Sequence, residues 1–512
     1  MTPLSKETAP PESSADRTRK ALFEKANGTN FDVVIIGAGI SGARIYHELC
    51  QKGHRVLLFD RADFASGTSQ TSGLMIWGGL LYLKDLDVKT VRGLCRARDE
   101  LIERLPEKIR PQSLRYLPRR KDLRNRQLVR AGMILYWLLG SQRRRFPDSE
   151  STFPEQEFLK EELFGDSLTF EEAMLEISDC RFALEWILPH AGKENMALNY
   201  CEAESLTFDA SDKRWRLDLR DRLRGEEAEV TAGIMINAAG VWTDELNLRL
   251  GTDSPYRHEL SKGVYVSVKR PPTLQDILIF DTGRDDDTLT FAPWGPVAMC
   301  GPTETSVASI PDGFRVSPDD VRYLLGLANA NLDTCYGSGD IVSLRCGIRP
   351  LGVRRGRSKV VHPLKLSRKH LVHHDPERNL VAVYGGKLTS CGSLAEQVCS
   401  LVSPQLPGRS GKRARELPSP MTESFPGLEE PVPSATWCRD HEHCHTLGDY
   451  LRRRTNIAQW VPRGGLGIHS ENLEAIRNIA RVFAPDEVAA NASVDAYREQ
   501  IRDNHDQVLT TV

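Results

Sequence analysis

A strand, a glycine turn and a helix open the chain's first recognisable unit, and their order limits what can follow. Residues 31–42 read Phe-Asp-Val-Val-Ile-Ile-Gly-Ala-Gly-Ile-Ser-Gly, and the next apolar run, Arg-Val-Leu-Leu-Phe-Asp, closes on Asp60. The run 33–36 predicts a buried strand, and Gly37, Gly39 and Gly42 predict the turn into a helix. Backbone can then approach a pyrophosphate, whose charge a helix N-terminus favours. Asp60 follows Gly42 by eighteen residues, where a carboxylate can accept from ribose hydroxyls. Three turn glycines alone would say little. With a strand before them and a helix, a second strand and an acid after them, they predict a dinucleotide-binding βαβ unit.

A chain of 512 residues is too long for one simple core and suggests two or three domains. Its 68 basic and 70 acidic residues balance, so nothing in bulk charge points to nucleic acid. The eleven cysteines are scattered without a CxxC, which favours a reducing, cytoplasmic setting over a disulfide framework. The first thirty residues are rich in Pro, Ser, Thr and charge and lack an apolar core, so residues 1–30 read as a disordered tail. The longest apolar stretch, 131–139, is far short of the ~20 residues needed to span a bilayer. The chain reads as soluble or at most peripheral.

Further along, a Gly/Ser/Thr-rich loop (65–79) precedes a charged helical stretch (87–107), and residues 110–190 read as an insertion. Strand character returns near 197–200, 214–219 and 230–239, the last running into Gly240. Short runs at 263–268, 277–280, 289–292 and 297–300 predict an antiparallel sheet. A strand at 379–384 leads through Gly385-Gly386-Lys387 into a helix ending at Val402. No internal repeat is visible. The unit opened at residue 31 is therefore completed far away in sequence, as in two-domain flavoproteins, and the strand ending Ile234-Met-Ile-Asn-Ala-Ala-Gly240 favours FAD over NAD. The expected fold is α/β: a Rossmann-like FAD-binding domain (about 31–110, 195–262 and 340–403), an antiparallel-sheet substrate domain (about 111–194 and 263–339), a linker (404–434) and a C-terminal helical domain (435–512).

These stretches together resemble the FAD-dependent glycerol-3-phosphate dehydrogenase family, within the wider D-amino-acid-oxidase-like group. The matching segments are 33–43, Thr68-Ser69, Gly78-Gly79-Leu80 with Tyr82, Ile236-Asn-Ala-Ala-Gly-Val-Trp242, Lys262-Gly263, Gly347-Ile-Arg-Pro-Leu351, Tyr384-Gly-Gly-Lys-Leu-Thr389 and His445-Thr-Leu-Gly-Asp449-Tyr-Leu-Arg-Arg-Arg-Thr455. The resemblance covers nearly all of the chain after residue 30. It implies a non-covalent FAD, with Thr68 and Ser69 at the phosphates, Gly78 and Gly79 lining the flavin, and Gly386, Lys387 and Thr389 near the isoalloxazine edge. Positive charge at Lys387 would stabilise the anionic reduced flavin. Arg349 matches the arginine that faces the substrate. The implied chemistry is hydride transfer from a C–H beside O or N to flavin N5, then electron transfer to quinone or dioxygen. Tyr82, Tyr265 and Lys387 are the candidates for roles beside the reacting carbon. Nothing indicates a metal, and the oligomeric state is open.

The chain departs from the family in one direction. Where the family reads Lys-Leu-Ile-His-Gly-Gly-Leu-Arg-Tyr, this chain reads Leu74-Met-Ile-Trp77-Gly-Gly-Leu-Leu81-Tyr82. Lys-Gly-Ser-His has become Lys262-Gly263-Val264-Tyr265, and Thr-Tyr-Arg after the Lys387 motif has become Ser390-Cys391-Gly392. A buried phosphate needs charge-assisted donors, and each one lost weakens binding by ~1.5–3 kcal/mol. Three readings stay open: a less charged alcohol, hydroxy acid or amine as substrate; glycerol 3-phosphate held by other cations, with Arg354, Arg355 and Arg357 as candidates; or an FAD-binding protein without turnover.

Three further features have blander readings. His441-Glu-His443-Cys444-His445 is expected to be a solvated helix entry, because alternating residues diverge on a helix. Cys391, at a helix start, is a candidate for a lowered thiol pKa, though simple burial also accounts for it. The apolar run 133–139 with arginines on both sides (124–145) could rest on an anionic inner membrane face as a peripheral contact. A partly buried helix with a basic end explains it equally well.

Overall fold

The glycine turn sits at the carboxyl end of a central strand in a mostly parallel sheet. The computed structural model describes residues 14–120, 123–192, 194–281, 288–310, 314–356, 366–411 and 413–512. Thr29–Ile36 lies between Glu227–Asn237 and Val56–Phe59 and runs parallel to both, with Val33 opposite Ile234 on one side and Val56 on the other. Leu380–Tyr384 and Met196–Leu198 extend the parallel array outward. Val33, Val34 and Ile35 are fully buried; a strand covered on both faces has no place for alternation. Helices Ile40–Gln51, Asp179–Ile187 and Cys391–Val402 pack together on one face. On the other, Phe23 and Ala26 of the helix Ser14–Ala26 share a core with Trp215 and Leu217.

The second sheet has ten strands and is largely antiparallel. Its spine is a pair of fourteen-residue strands, Tyr256–Lys269 and Ile341–Arg354, with Ser261 opposite Arg349 and Tyr265 opposite Arg345. Strands Val297–Gly301, Thr288–Trp294, Ile277–Asp281, Ile109–Leu117 and Ser167–Leu175 continue it. The helix Pro318–Asn331, held at its start by a Ser317–Asp320 capping box, covers the back face. The C-terminal domain has its own core, built around Trp437, Tyr450, Ile476 and Val494.

Three expectations need correction. Residues 14–30 are not a disordered tail: they form a helix and the start of the central strand, and Arg19 is buried against Asp221 and Asn199. A buried ion pair with several charge-assisted bonds gives this segment the anchor its composition hid; residues 1–13 lie outside the described residues. The sheet boundary also differs. Met75–Ile76 and Ile341–Arg354 belong to the substrate sheet, not to the nucleotide segments, because they pair with Ser167–Leu175 and Tyr256–Lys269. Conversely Asp179–Ile187, expected in the substrate half, packs on the nucleotide helix. The stretch expected as a linker (404–434) is tied down at both ends among its described residues: Arg415 N–H donates to the Pro189 carbonyl, while Phe425 and Val432 join the C-terminal core.

Candidate active site

The nucleotide turn is built by contacts that exclude side chains. Gly37 has φ +102°, and a Cβ there would lie 2.5 Å from the Ala238 carbonyl oxygen. A Cβ on Gly42 would lie 1.9 Å from the Gly37 oxygen, and one on Gly39 would lie 3.1 Å from Ser69 Oγ. Helix Ile40–Gln51 starts without a side-chain cap from its own N-cap residue. Ser69 Oγ accepts the Ile40 N–H at 2.9 Å, which puts this hydroxyl at the anion-receiving end of the helix. Thr68 Oγ1 donates to the Ile348 carbonyl at 2.7 Å, tying the same loop to the residue before Arg349. Asp60 accepts from Ala38 N–H at 2.8 Å and Ala62 N–H at 3.0 Å. Burial pushes its carboxyl up to about 6 against the pull of those two amides. Each oxygen keeps a lone pair beyond its amide, so Asp60 can shape the turn and still accept from a ribose. Gly240 begins the helical turn just past Ala238, beside the first glycine. Open backbone, a helix start capped by Ser69 at its first amide and a paired acid fit a dinucleotide.

Gly78 and Gly79 form a wall for a different reason. Gly78 N–H donates to Glu172 Oε2 at 2.9 Å. A Cβ on Gly78 would lie 2.0 Å from the Tyr136 hydroxyl, and one on Gly79 would lie 2.8 Å from Leu94 Cδ1. Behind them Arg98, Glu172 and Tyr136 form a buried network, with Arg98 Nη1 2.8 Å from Glu172 Oε2. Removing one partner of such a pair costs ~3–5 kcal/mol, so the double-glycine loop has a rigid backing.

At the end expected to take substrate, Arg349 lies across the neighbouring strand in a slot that only glycine leaves open: a Cβ on Gly263 would meet its guanidinium at 2.4 Å. Arg349 Nη1 is 3.1 Å from Glu304 Oε2, and Arg368 Nη2 donates to the same oxygen at 2.9 Å. Ser261 Oγ donates to Glu304 Oε1, and the glutamate side chain is only 5% exposed. One buried carboxylate thus positions two guanidinium groups. Lys387 follows Gly386 (φ +125°), donates to the Tyr82 hydroxyl and lies 4.3 Å from the centre of the Tyr82 ring. Burial, then the charges of Arg368 and Lys369, pull its ammonium down to about 7. Tyr265 is wedged between Gly73 and Gly301. Burial raises its phenol pKa against the opposing pull of Arg349, Arg345 and Arg368. Thr389 is buried just before helix Cys391–Val402. The structure therefore gathers Arg349, Lys387, Tyr82 and Tyr265 at one end, and the glycines, Asp60, Thr68 and Ser69 at the other.

Glu304, Arg368 and His258 escaped the sequence reading. Arg368 was legible in principle: continuing the hairpin register three residues past Leu371–Tyr384 brings it opposite Lys387. His258 Nε2 accepts the Gly385 N–H at 3.1 Å while its Nδ1 faces Asp244 Oδ2 at 3.2 Å, so it braces the turn before Lys387. The cations proposed from sequence do not join the site. Arg354 stacks on Tyr256 and Arg355 donates to its carbonyl, five and six strand positions beyond Arg349, or ~17–20 Å at ~3.3 Å per residue; Arg357 lies outside the described residues. Among the altered positions, Leu74 is buried, Trp77 packs partly against the core and Leu81 is 64% exposed. Lys262 points away to Asp320, at 2.6 Å. Burial pushes the Cys391 thiol up to about 11, which is the reverse of activation. His443 and His445 are half-buried and not freely solvated: burial pulls both down to about 3, and His445 sits 3.4 Å from Arg19. No group of three His, Cys, Asp or Glu that could hold a metal occurs among the described residues.

Comparison with known proteins identifies the family and the fold. An aerobic glycerol-3-phosphate dehydrogenase of Staphylococcus epidermidis is 28% identical over 395 residues, covering 76% of this chain and 70% of the relative. A Staphylococcus aureus protein of the same description is 27% identical over similar shares. Among solved structures, the glycerol-3-phosphate dehydrogenase from Bacillus halodurans, complexed with FAD, superposes with a TM-score of 0.69 at 19% identity, over 95% of this chain and 97% of that one. An L-alpha-glycerophosphate oxidase from Mycoplasma pneumoniae, with FAD bound, gives 0.59 at 15% identity, over 76% and 100%. Residues 32–401 match the family described as DAO, FAD dependent oxidoreductase. The cofactor is accordingly FAD, and the chain belongs to the FAD-dependent oxidoreductases of the DAO family.

Proposed function

We propose that this enzyme oxidises a small anionic alcohol, with glycerol 3-phosphate as the first candidate. The observation that carries this reading is the pair Arg349 and Arg368 on a single carboxylate, Glu304, with Lys387 near enough to feel the charge of Arg368. Two guanidinium groups on one carboxylate leave room for an anion, and such a pair suits the oxygens of a phosphate. Arg368 takes up part of the charge lost at Leu81 and Trp77. The names of the relatives support the same substrate class.

FAD, when bound, supplies the acceptor for a hydride from the carbinol carbon. The chain's own groups handle the charge and the proton. Arg349 and Arg368 orient the anionic end. Lys387, whose ammonium pKa lies near 7, is partly neutral at neutral pH, so its Nζ takes the substrate hydroxyl proton. It then carries positive charge at the place where negative charge develops. The Tyr82 hydroxyl, held by Lys387, fixes the direction of that nitrogen.

Anaerobic mixing tests the reading. Glycerol 3-phosphate should bleach the oxidised flavin band, and glycerol at the same concentration should not. Equal bleaching by both would favour the less charged substrates, which the apolar Leu81 and Trp77 would suit.

For reoxidation we infer a quinone reached at a membrane surface. Leu128, Leu135 and Leu138 of the helix Leu123–Leu139 are 73%, 44% and 49% exposed. The short helix Leu80–Asp85, which carries the exposed Leu81, packs against it. Arg126, Arg143, Arg144 and Arg145 are engaged by carboxylates, so contact would be apolar and only weakly salt-dependent. No described helix is long and apolar enough to cross a membrane. Flotation with lipid vesicles should survive raised salt; absence of flotation at any salt would contradict membrane contact.

A further inference from the structure

The C-terminal domain meets the cofactor loop through a buried electrostatic joint that the oxidation chemistry does not use. Arg454 grips Asp63 with both terminal nitrogens, at 2.7 and 2.9 Å, and Arg453 Nε donates to the same carboxylate at 2.6 Å. Asn199 Nδ2 completes the set at 2.8 Å. Four donors saturate the carboxylate, and both Asp63 and Arg454 are fully buried. Burial opposes ionisation of Asp63, yet the two guanidinium groups outweigh it and hold the carboxyl below its usual range. Arg453 also reaches Gln70 Oε1 at 3.3 Å and Asp449 at 2.6 Å, and Phe64 packs edge-on against His443.

Both ends of the gripped segment belong to the nucleotide site. It leaves Asp60, which shapes the glycine turn, and arrives at Ser69, whose hydroxyl takes the first amide of the nucleotide helix. In between, Ala65 donates to the Ala38 carbonyl inside the glycine turn and adopts φ +59°. A residue with a Cβ stays in that region only where its surroundings hold it. The nucleotide half supplies one side of that hold, and the C-terminal domain supplies the other.

We propose that the C-terminal domain is a lock on the cofactor loop. Arg453 and Arg454, acting through Asp63, keep residues 60–71 in the shape that receives FAD, so cofactor binding and docking of this domain stabilise each other. Asp63 and the two arginines are positioning residues and touch no substrate. Because linkage is reciprocal, the coupling can be read from either side.

Two measurements test it. Asp63→Asn should weaken FAD affinity, read by quenching of flavin fluorescence on titration into the apoprotein, by about tenfold or more. Arg454→Lys, which keeps the charge but not the two-pronged grip, should fall between. Asp506→Asn breaks the Arg463–Asp506 pair (2.7 Å) elsewhere in the same domain and should leave FAD affinity unchanged. Hydrogen exchange on the unaltered protein covers the case in which Asp63→Asn fails to fold: removing FAD should speed exchange across residues 442–455. Equal FAD affinity in wild type and Asp63→Asn, an equal loss in Asp506→Asn, or exchange over 442–455 indifferent to FAD would each overturn the proposal.

Discussion

The two ends of the site are built on opposite principles. At the nucleotide end the chain removes atoms: Gly37, Gly39 and Gly42 let backbone approach backbone, and a single Cβ would collide. At the substrate end it adds charge and then restrains it, with Glu304 holding Arg349 and Arg368 beside a lysine of lowered basicity. A steric site tolerates almost no variation, because a clash has no gradual form. An electrostatic site can move its charges from one element to another and keep the same field. That difference would account for a glycine turn that keeps the pattern of the family it resembles while Leu81, Trp77 and Tyr265 depart from it.

Adding atoms to the nucleotide turn should have the largest effect. Gly42→Val should purify without flavin, with FAD affinity lowered ~100-fold or more, because its first added carbon already lies 1.9 Å from the Gly37 oxygen. Absorbance of the purified protein near the flavin band checks this. Lys387→Met should keep FAD yet reduce it ~10²–10⁴-fold more slowly with substrate, the usual reach of a general base. In the wild type, flavin reduction should rise with pH through about 7, since the base form appears as the proton leaves. Bound anions will move that midpoint upward by favouring the ammonium. A rate that falls over the same range would contradict the base assignment.

Milder changes sharpen the contrast. Leu81→Arg returns a cation beside Tyr82 and should tighten glycerol 3-phosphate by up to ~tenfold, reduced by solvent screening at this exposed position, with flavin content unchanged. Arg354→Ala should alter the apparent affinity for substrate by less than ~twofold, since this arginine stacks on Tyr256 away from the recess. Steady-state kinetics separates the two.

Legibility in the sequence follows the same division. The βαβ unit was readable because its information is local: one strand, one turn and an acid at a fixed distance. Long strands such as Tyr256–Lys269 were foreseen only in part, since their pairing with Ile341–Arg354 joins segments more than seventy positions apart. Arg349 and Lys387 were found through motifs. Glu304 has no motif around it and gains its meaning only from Ser261, Arg349 and Arg368 converging on it. The helix Ser14–Ala26 was hidden for a similar reason, because its polar composition resembles that of a loose tail while its anchors lie some 180–200 residues away. Asp63 stands in no motif and gains its meaning only where Arg453 and Arg454 fold back on it.

We propose that Arg349, Glu304, Arg368 and Lys387 hold the substrate. Stopped-flow reduction of the bound flavin by glycerol 3-phosphate, in wild type and in Arg368→Leu, tests it most directly. The dissociation constant taken from the concentration dependence should rise ~tenfold or more in the variant, while FAD content stays the same. An unchanged dissociation constant would contradict it and would place the anion away from Arg368.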